Sequence, residues 1–318
     1  MRSLSCSRRI AAAVVALSAT VATAACSASQ APISTVAPVV ARNALAQQVI
    51  DDLSSAKRCS KSKIYVADYA ASTVEIYPQG VTNPSPCATI SKDVSFPEAL
   101  FVDHKGTLYV ANYESSSVTE YLPGRKIPTL SIATASPPFD VSAGVDGTLY
   151  VAESDAQTVA EYAPGSTQPS LVLALNGGPH GVATDNANNL YVSYLSNADG
   201  VSHVEKFAPK ATTGTDLGFT VSFAGELKLD TKNDIIIGDR NSSTMYVYPP
   251  GHTTPSRSFS TPLGKPVNFA LNKAEDLLYV SGLSAVDIID YHTGASIGSI
   301  GTGLRSPSGV ALSPPAPY

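Results

Sequence analysis

One strand-like segment returns six times along this chain, and that recurrence constrains its fold more than any other feature. It reads KIYVAD from Lys63, TLYVAN from Thr107, TLYVAE from Thr148, NLYVSY from Asn189, DIIIGD from Asp234 and LLYVSG from Leu277. Its anchor residues are Tyr65, Tyr109, Tyr150, Tyr191, Ile236 and Tyr279, spaced 44, 41, 41, 45 and 43 residues apart. A second segment follows each copy and carries its own ring column: Tyr77, Tyr121, Tyr162, Phe207, Tyr248 and Tyr291. Both segments show the two-residue period of a β-strand. Polar tips such as NYESSS from Asn112 separate them, and Pro-Gly turns close the second at Pro123-Gly124, Pro164-Gly165 and Pro250-Gly251.

Two further strands complete each unit. One follows the turn, as in PSLVLAL from Pro169. The other precedes the next anchor: EALFVD from Glu98, DVSAGV from Asp140, HGVATD from His180, GELKLD from Gly225 and NFALN from Asn268. A sheet this small cannot bury both of its faces, whereas six of them stacked around an axis bury one another. The spacing therefore predicts an all-β fold, a six-bladed β-propeller of four-stranded blades. The first unit begins at Lys63 without a leading strand, and SPSGVALS from Ser306 supplies one. The chain end is thus expected to complete blade one and close the ring, leaving no open sheet edge.

The unit P-x-G-V-A-x-D, L-Y-V-A, V-x-x-Y-x-P-G resembles the NHL repeat over about residues 60–313. Propellers of this kind include ligand-binding sensors, protein-interaction modules, the calcium-dependent lactonases of the gluconolactonase–regucalcin group and the virginiamycin B lyase group. The resemblance thus implies a fold and leaves the function open.

The chain starts as an export signal. Arg2, Arg8 and Arg9 precede an uncharged apolar stretch from Ile10 to about Ala22, too short to span a bilayer comfortably. Ala22-Thr23-Ala24 fits a cleavage site, and Thr23-Ala24-Ala25-Cys26 resembles a bacterial lipobox, which implies lipidation of Cys26. The expected organisation is a lipoprotein-type signal over 1–25, a tether over 26–59 and the propeller over 60–318. The tether begins rich in Ala, Ser, Pro and Val. It ends in ARNALAQQVIDDLSSAKR, with Leu45, Val49, Ile50 and Leu53 on one face of a short amphipathic helix. The expected location is the cell envelope, lipid-anchored to membrane; simple secretion is the alternative. Cys59 and Cys87 remain as an even pair in an oxidising compartment, and a disulfide between them is expected.

Candidate site residues come from the start of the innermost strands, where the resemblance implies metal ligands in the lactonase group. That column reads Glu98, Phe139, His180, Gly225, Val267 and Ser308, and Asp140, Glu226 and Asn268 lie one position over. Calcium wants several oxygen ligands, and Glu98 is the only carboxylate in the column itself. No metal site or other cofactor is therefore expected, and a shifted register is what would bring calcium in. His180 in GGPHGVATD resembles the lyase group's P-H-G repeats, but that chemistry asks for a cluster of His and Glu on adjacent blades, and a single His is more often structural. No G-x-S-x-G elbow, H-E-x-x-H or phosphate-binding Gly loop is present. The net charge of −5 and the lack of a basic run beyond the N-terminus argue against nucleic acid. Glu98, Asp140, His180, Glu226 and Asn268 are accordingly read as candidate channel-binding residues of a monomeric binding module for an unknown protein or small molecule. The alternative is a lactonase- or lyase-like enzyme with its site in the central channel.

Overall fold

The repeat folds as six four-stranded antiparallel sheets, and in each the strands lie side by side in chain order from the axis outward. The computed structural model describes Cys59, residues 62–81 and residues 83–316. The signal, Cys26 and the helix expected before Cys59 lie outside the described residues. Blade one is the exception in connectivity. Its inner strand, Pro307–Ser313, comes from the chain end and pairs antiparallel with Lys63–Asp68. The inner strands of blades two to six are Pro97–Val102, Pro138–Ala143, Gly177–Thr184, Ala224–Leu229 and Phe269–Leu271.

Burial follows position in the blade. The second strands are sandwiched between neighbouring blades, and Leu149–Glu153 and Ile235–Asp239 are buried at every residue. Outer strands such as Leu130–Ala133 and Leu171–Ala174 face solvent with every second side chain. The ring columns explain how the blades stack. Six apolar clusters among the described residues fill the six interfaces between blades. Each holds an anchor residue of one blade and the third-strand ring of the next. Tyr65 shares a cluster with Tyr121, Tyr150 with Phe207, Tyr191 with Tyr248, Ile236 with Tyr291 and Tyr279 with Tyr77. A large ring fully removed from water contributes roughly 2–3 kcal/mol, so two columns supply much of the stacking energy.

One polar column ties the entry loops to the strands nearest the axis. Asp68, Asn112, Glu153 and Asp239 end the second strands and are buried. They accept backbone N–H groups from the loop that enters the inner strand of the same blade. Arg305 and Ser306 donate to Asp68, Ser95 to Asn112, Ala135 to Glu153, and Ser222 and Phe223 to Asp239, at 2.7–3.3 Å. Cys59 and Cys87 are joined by a disulfide with Cα atoms 6.1 Å apart, tying the segment before blade one to its outer edge. For a loop of this length the chain-entropy model gives about 3–4 kcal/mol.

Candidate functional site: the channel mouth

The inner strands of blades one to five enter the channel through a bulge. The ladder register shifts between Pro97 and Ala99, Pro138 and Asp140, Pro179 and Gly181, and Ala224 and Leu227. A bulge breaks two-residue alternation, so adjacent residues no longer take opposite faces. The column of Glu98, Phe139, His180 and Val267 reaches the mouth of the channel. The next column points sideways into the neighbouring blade.

This separates the sequence candidates into two groups. Asp140 accepts from Val182 N–H at 2.8 Å, Glu226 from Phe269 N–H at 2.7 Å and Asn268 from Val310 N–H at 2.7 Å. Each bond runs from one inner strand to the next. Where the same position is glycine, the strands close up instead. A Cβ on Gly181 would stand 2.8 Å from Leu227 N, and one on Gly309 2.8 Å from Leu100 N. Asp140, Glu226 and Asn268 therefore hold the ring together, although the last two also line the depth of the mouth. The Glu226 carboxylate also pairs with the Lys228 ammonium, both deeply buried. Burial pushes the Asp140 and Glu226 carboxyls up, opposed by the Lys228 charge. Among the described residues, no three His, Cys, Asp or Glu side chains are grouped to hold a metal ion.

Glu98 and His180 do meet at the mouth, in company that sequence reasoning missed. A chain of rings runs along it: Phe96 to Tyr69 at 5.0 Å between centroids, Tyr69 to Tyr113 at 6.3 Å and Tyr113 to Phe139 at 5.6 Å. It continues from Phe139 to His180 at 5.3 Å and from His180 to Phe223 at 5.0 Å. The Arg240 guanidinium ends the arc, 5.3 Å above the Phe223 ring. Burial pushes the Glu98 carboxyl up, and the Arg240 charge opposes it. Burial and the Arg240 charge bring the His180 imidazole down to about 4, so at neutral pH it carries no charge. Its Nδ1 is buried without a hydrogen-bond partner. Phe96 takes a φ of 45°, a conformation that bulky residues rarely adopt.

The arc had a signal in the sequence. Tyr69, Tyr113 and Arg240 occupy one repeat position, four residues after the anchor, where the other blades have Ser154, Leu195 and Leu283. That column does not keep one residue type, which marks a position not dictated by stacking. The far end of the channel is lined by Phe101, Lys228, Ala270 and Ala311 and by Pro315 and Ala316 of the chain end.

No protein-family model and no curated protein sequence matches the chain. Solved structures do match by shape. One from the "Crystal structure of Nidogen/Laminin Complex" is 16% identical with a TM-score of 0.65, covering 79% of this chain and 98% of that one. A chain of Kuenenia stuttgartiensis hydrazine synthase is 17% identical with a TM-score of 0.57, covering 78% and 85%. A functionally unknown protein from Desulfotomaculum acetoxidans DSM 771 is 13% identical with a TM-score of 0.58, covering 81% and 100%. At such identities the likeness is one of fold, and fold does not choose a function. Topology, repeat and structural likeness agree on the architecture: the chain is a six-bladed β-propeller closed by its own C-terminal strand.

Proposed function

We propose that this propeller is a binding module of the cell envelope, held to a membrane through lipidated Cys26, and that the channel mouth is its binding face. The observation that carries the reading is the arc of six rings ending on Arg240. Interior rings in this fold recur once per blade because every interface needs them. The arc follows no such period, leaves Phe96 38% exposed and brings unspent polar groups to one opening. Concave, mostly apolar openings with a few convergent polar groups are where ligands bind. Binding is favoured over turnover because Asp140, Glu226 and Asn268 spend their oxygens on backbone N–H groups.

A photoreactive phenylalanine analogue placed at Phe139 in cells carrying the full chain tests the binding face. Irradiation is expected to give an adduct of discrete mass from Phe139 and none from the same analogue at Val172, on an outer strand. Equal labelling at both positions, or none at the mouth, defeats the reading. The anchor is tested separately by fractionation. Cys26→Ser is expected to move the protein from membrane to soluble fractions, and a wild-type chain already soluble would remove the anchor from the proposal.

A further inference from the structure

We propose that the mouth from blade three round to blade six is a site for a small organic anion that carries a flat ring. The anionic group would sit on Arg240 and Lys265, and the ring would lie against Phe139, His180 and Phe223. The inference rests on the mouth being the binding face, and it names what that face takes.

The cations come first. Arg240 is held in place by the Phe223 ring, yet its guanidinium has no ion pair and no hydrogen bond among the described residues. A planar fork of donors fixed by a ring and left unspent matches the two oxygens of a carboxylate. Lys265 is exposed on the same hollow and has no ion pair either. Of the acids, Glu98 lines the same hollow as Arg240 and Lys265, and Glu114 lies near Tyr69. Glu98 and Glu114 both act on Tyr69, between blades one and two, although Glu98 also faces Arg240. Burial holds the Glu98 carboxyl up, which lowers its cost to an incoming anion. The hollow therefore sets two cations, Arg240 and Lys265, against one buried carboxyl, Glu98.

The wall fits a ring. Phe139, His180 and Phe223 stand 5.3 Å and 5.0 Å apart in succession, within the range of offset and edge contacts between aromatic groups. None of the three carries a hydroxyl. The wall's one polar atom without a partner is His180 Nδ1. The hollow holds Arg240 and Lys265, and a small recess beside it shares Glu98, Arg240 and Val267 with it and is lined by Phe139 and His180. A one- or two-ring molecule would lie across the open mouth of that recess, with its anionic group over the cations of the hollow. A neutral sugar could use the rings, but it would leave both cations idle.

Isothermal titration of the full chain in detergent, with three ligands of equal ring size, decides the matter: 2-naphthoate, neutral 2-naphthylmethanol and cationic 2-naphthylmethylamine. Naphthoate is expected to bind about tenfold or more tightly than the other two, the worth of one charge-assisted contact. Arg240→Gln should abolish that preference, and Lys265→Gln, at an exposed residue with no partner, should reduce it without disturbing the fold. Phe139→Ala, which touches no cation, should weaken all three ligands alike. An alcohol that binds as tightly as naphthoate overturns the proposal, as does an undiminished preference in both charge variants or no binding into the millimolar range. An adduct at Phe139 in cells with no naphthoate binding would sink the anion and keep the binding face. Failure of both would sink both.

Discussion

Asp239 shows how a residue that looks functional can be architectural. It stands directly between Ile235–Gly238 of the second strand and Arg240 of the mouth, and it is 3% exposed. Its carboxylate accepts from Ser222 and Phe223 N–H at 3.3 and 3.2 Å and from Asn241 N–H at 3.0 Å. Those donors belong to the loop that carries Phe223 and to the turn that carries Arg240, so Asp239 also aims the arc. Removing a buried charged acceptor from several N–H groups costs about 3 kcal/mol, because the donors stay buried. Asp239→Ala is therefore expected to lower the free energy of unfolding in urea by about that amount. Asp239→Asn, which keeps one acceptor, should lose less than half as much. Equal losses in the two variants would mean that the hydrogen bonds are not the cause. The acidic column was visible in the sequence as the last letter of KIYVAD, TLYVAN, TLYVAE and DIIIGD. Its purpose was not, because the donors sit in loops reached only by folding. For Asp68 the donor Arg305 is 237 residues away.

The inner strand of blade five, Ala224–Leu229, is the element in which structure and site are most closely joined. Gly225 gives the mouth its floor, Glu226 reaches across to blade six and Lys228 looks into the channel. The Lys228 ammonium contacts the Glu226 carboxylate and stands 5.7 Å from the Phe101 ring of blade two. Side chains of these two residues are 8% and 1% exposed, and the Lys228 charge acts on the buried Asp140 carboxyl as well, so the Glu226 charge is one part of what holds the ammonium. Breaking a buried pair from one side costs about 3–5 kcal/mol, while replacing both members is often close to neutral. Glu226→Gln should therefore destabilise the protein by several kcal/mol, and Lys228→Met in the same chain should restore a large part of it. A double variant no more stable than the single one would show that the Phe269 N–H bond, and not the ion pair, carries the energy. The sequence placed Glu226 in the channel region but could not say which way it turned. Two-residue periodicity assigns faces only along an unbroken ladder, and here the register shifts between Ala224 and Leu227. Like shifts in blades two to four hid the division between Glu98 and His180 on one side and Asp140 on the other.

At the scale of the whole molecule, six repeats were legible because stacking demands the same residue at the same place in every blade. The mouth was less so, since its residues depart from the repeat and belong to different blades. What turns the repeats into one object is the junction between blades six and one. Pro307–Ser313 pairs with Lys63–Asp68 from Lys63 opposite Ser313 to Asp68 opposite Pro307. The junction is latched again further out, where Asn83 accepts from Gly301 and Thr302 N–H at 3.0 and 3.2 Å. Tyr77 donates to the Thr302 carbonyl at 2.8 Å. Without the chain end, Lys63–Asp68 becomes an open edge, and Asp68 keeps a buried carboxylate without the donors of Arg305 and Ser306. Asn268 likewise loses the N–H of Val310, and the mouth loses Ser308. A chain stopped after Leu304 is therefore expected to melt broadly, below the full chain, and to associate in solution. The missing residues 305–318 added as a peptide should pair with the vacant edge by strand addition and raise the melting temperature in a saturable way. A truncated chain that melts as sharply and as high as the intact one would mean that blades one and six hold the ring by stacking alone. Recovery by the peptide would instead locate the closure in strand pairing, and with it the rigidity that lets residues from six blades share one opening.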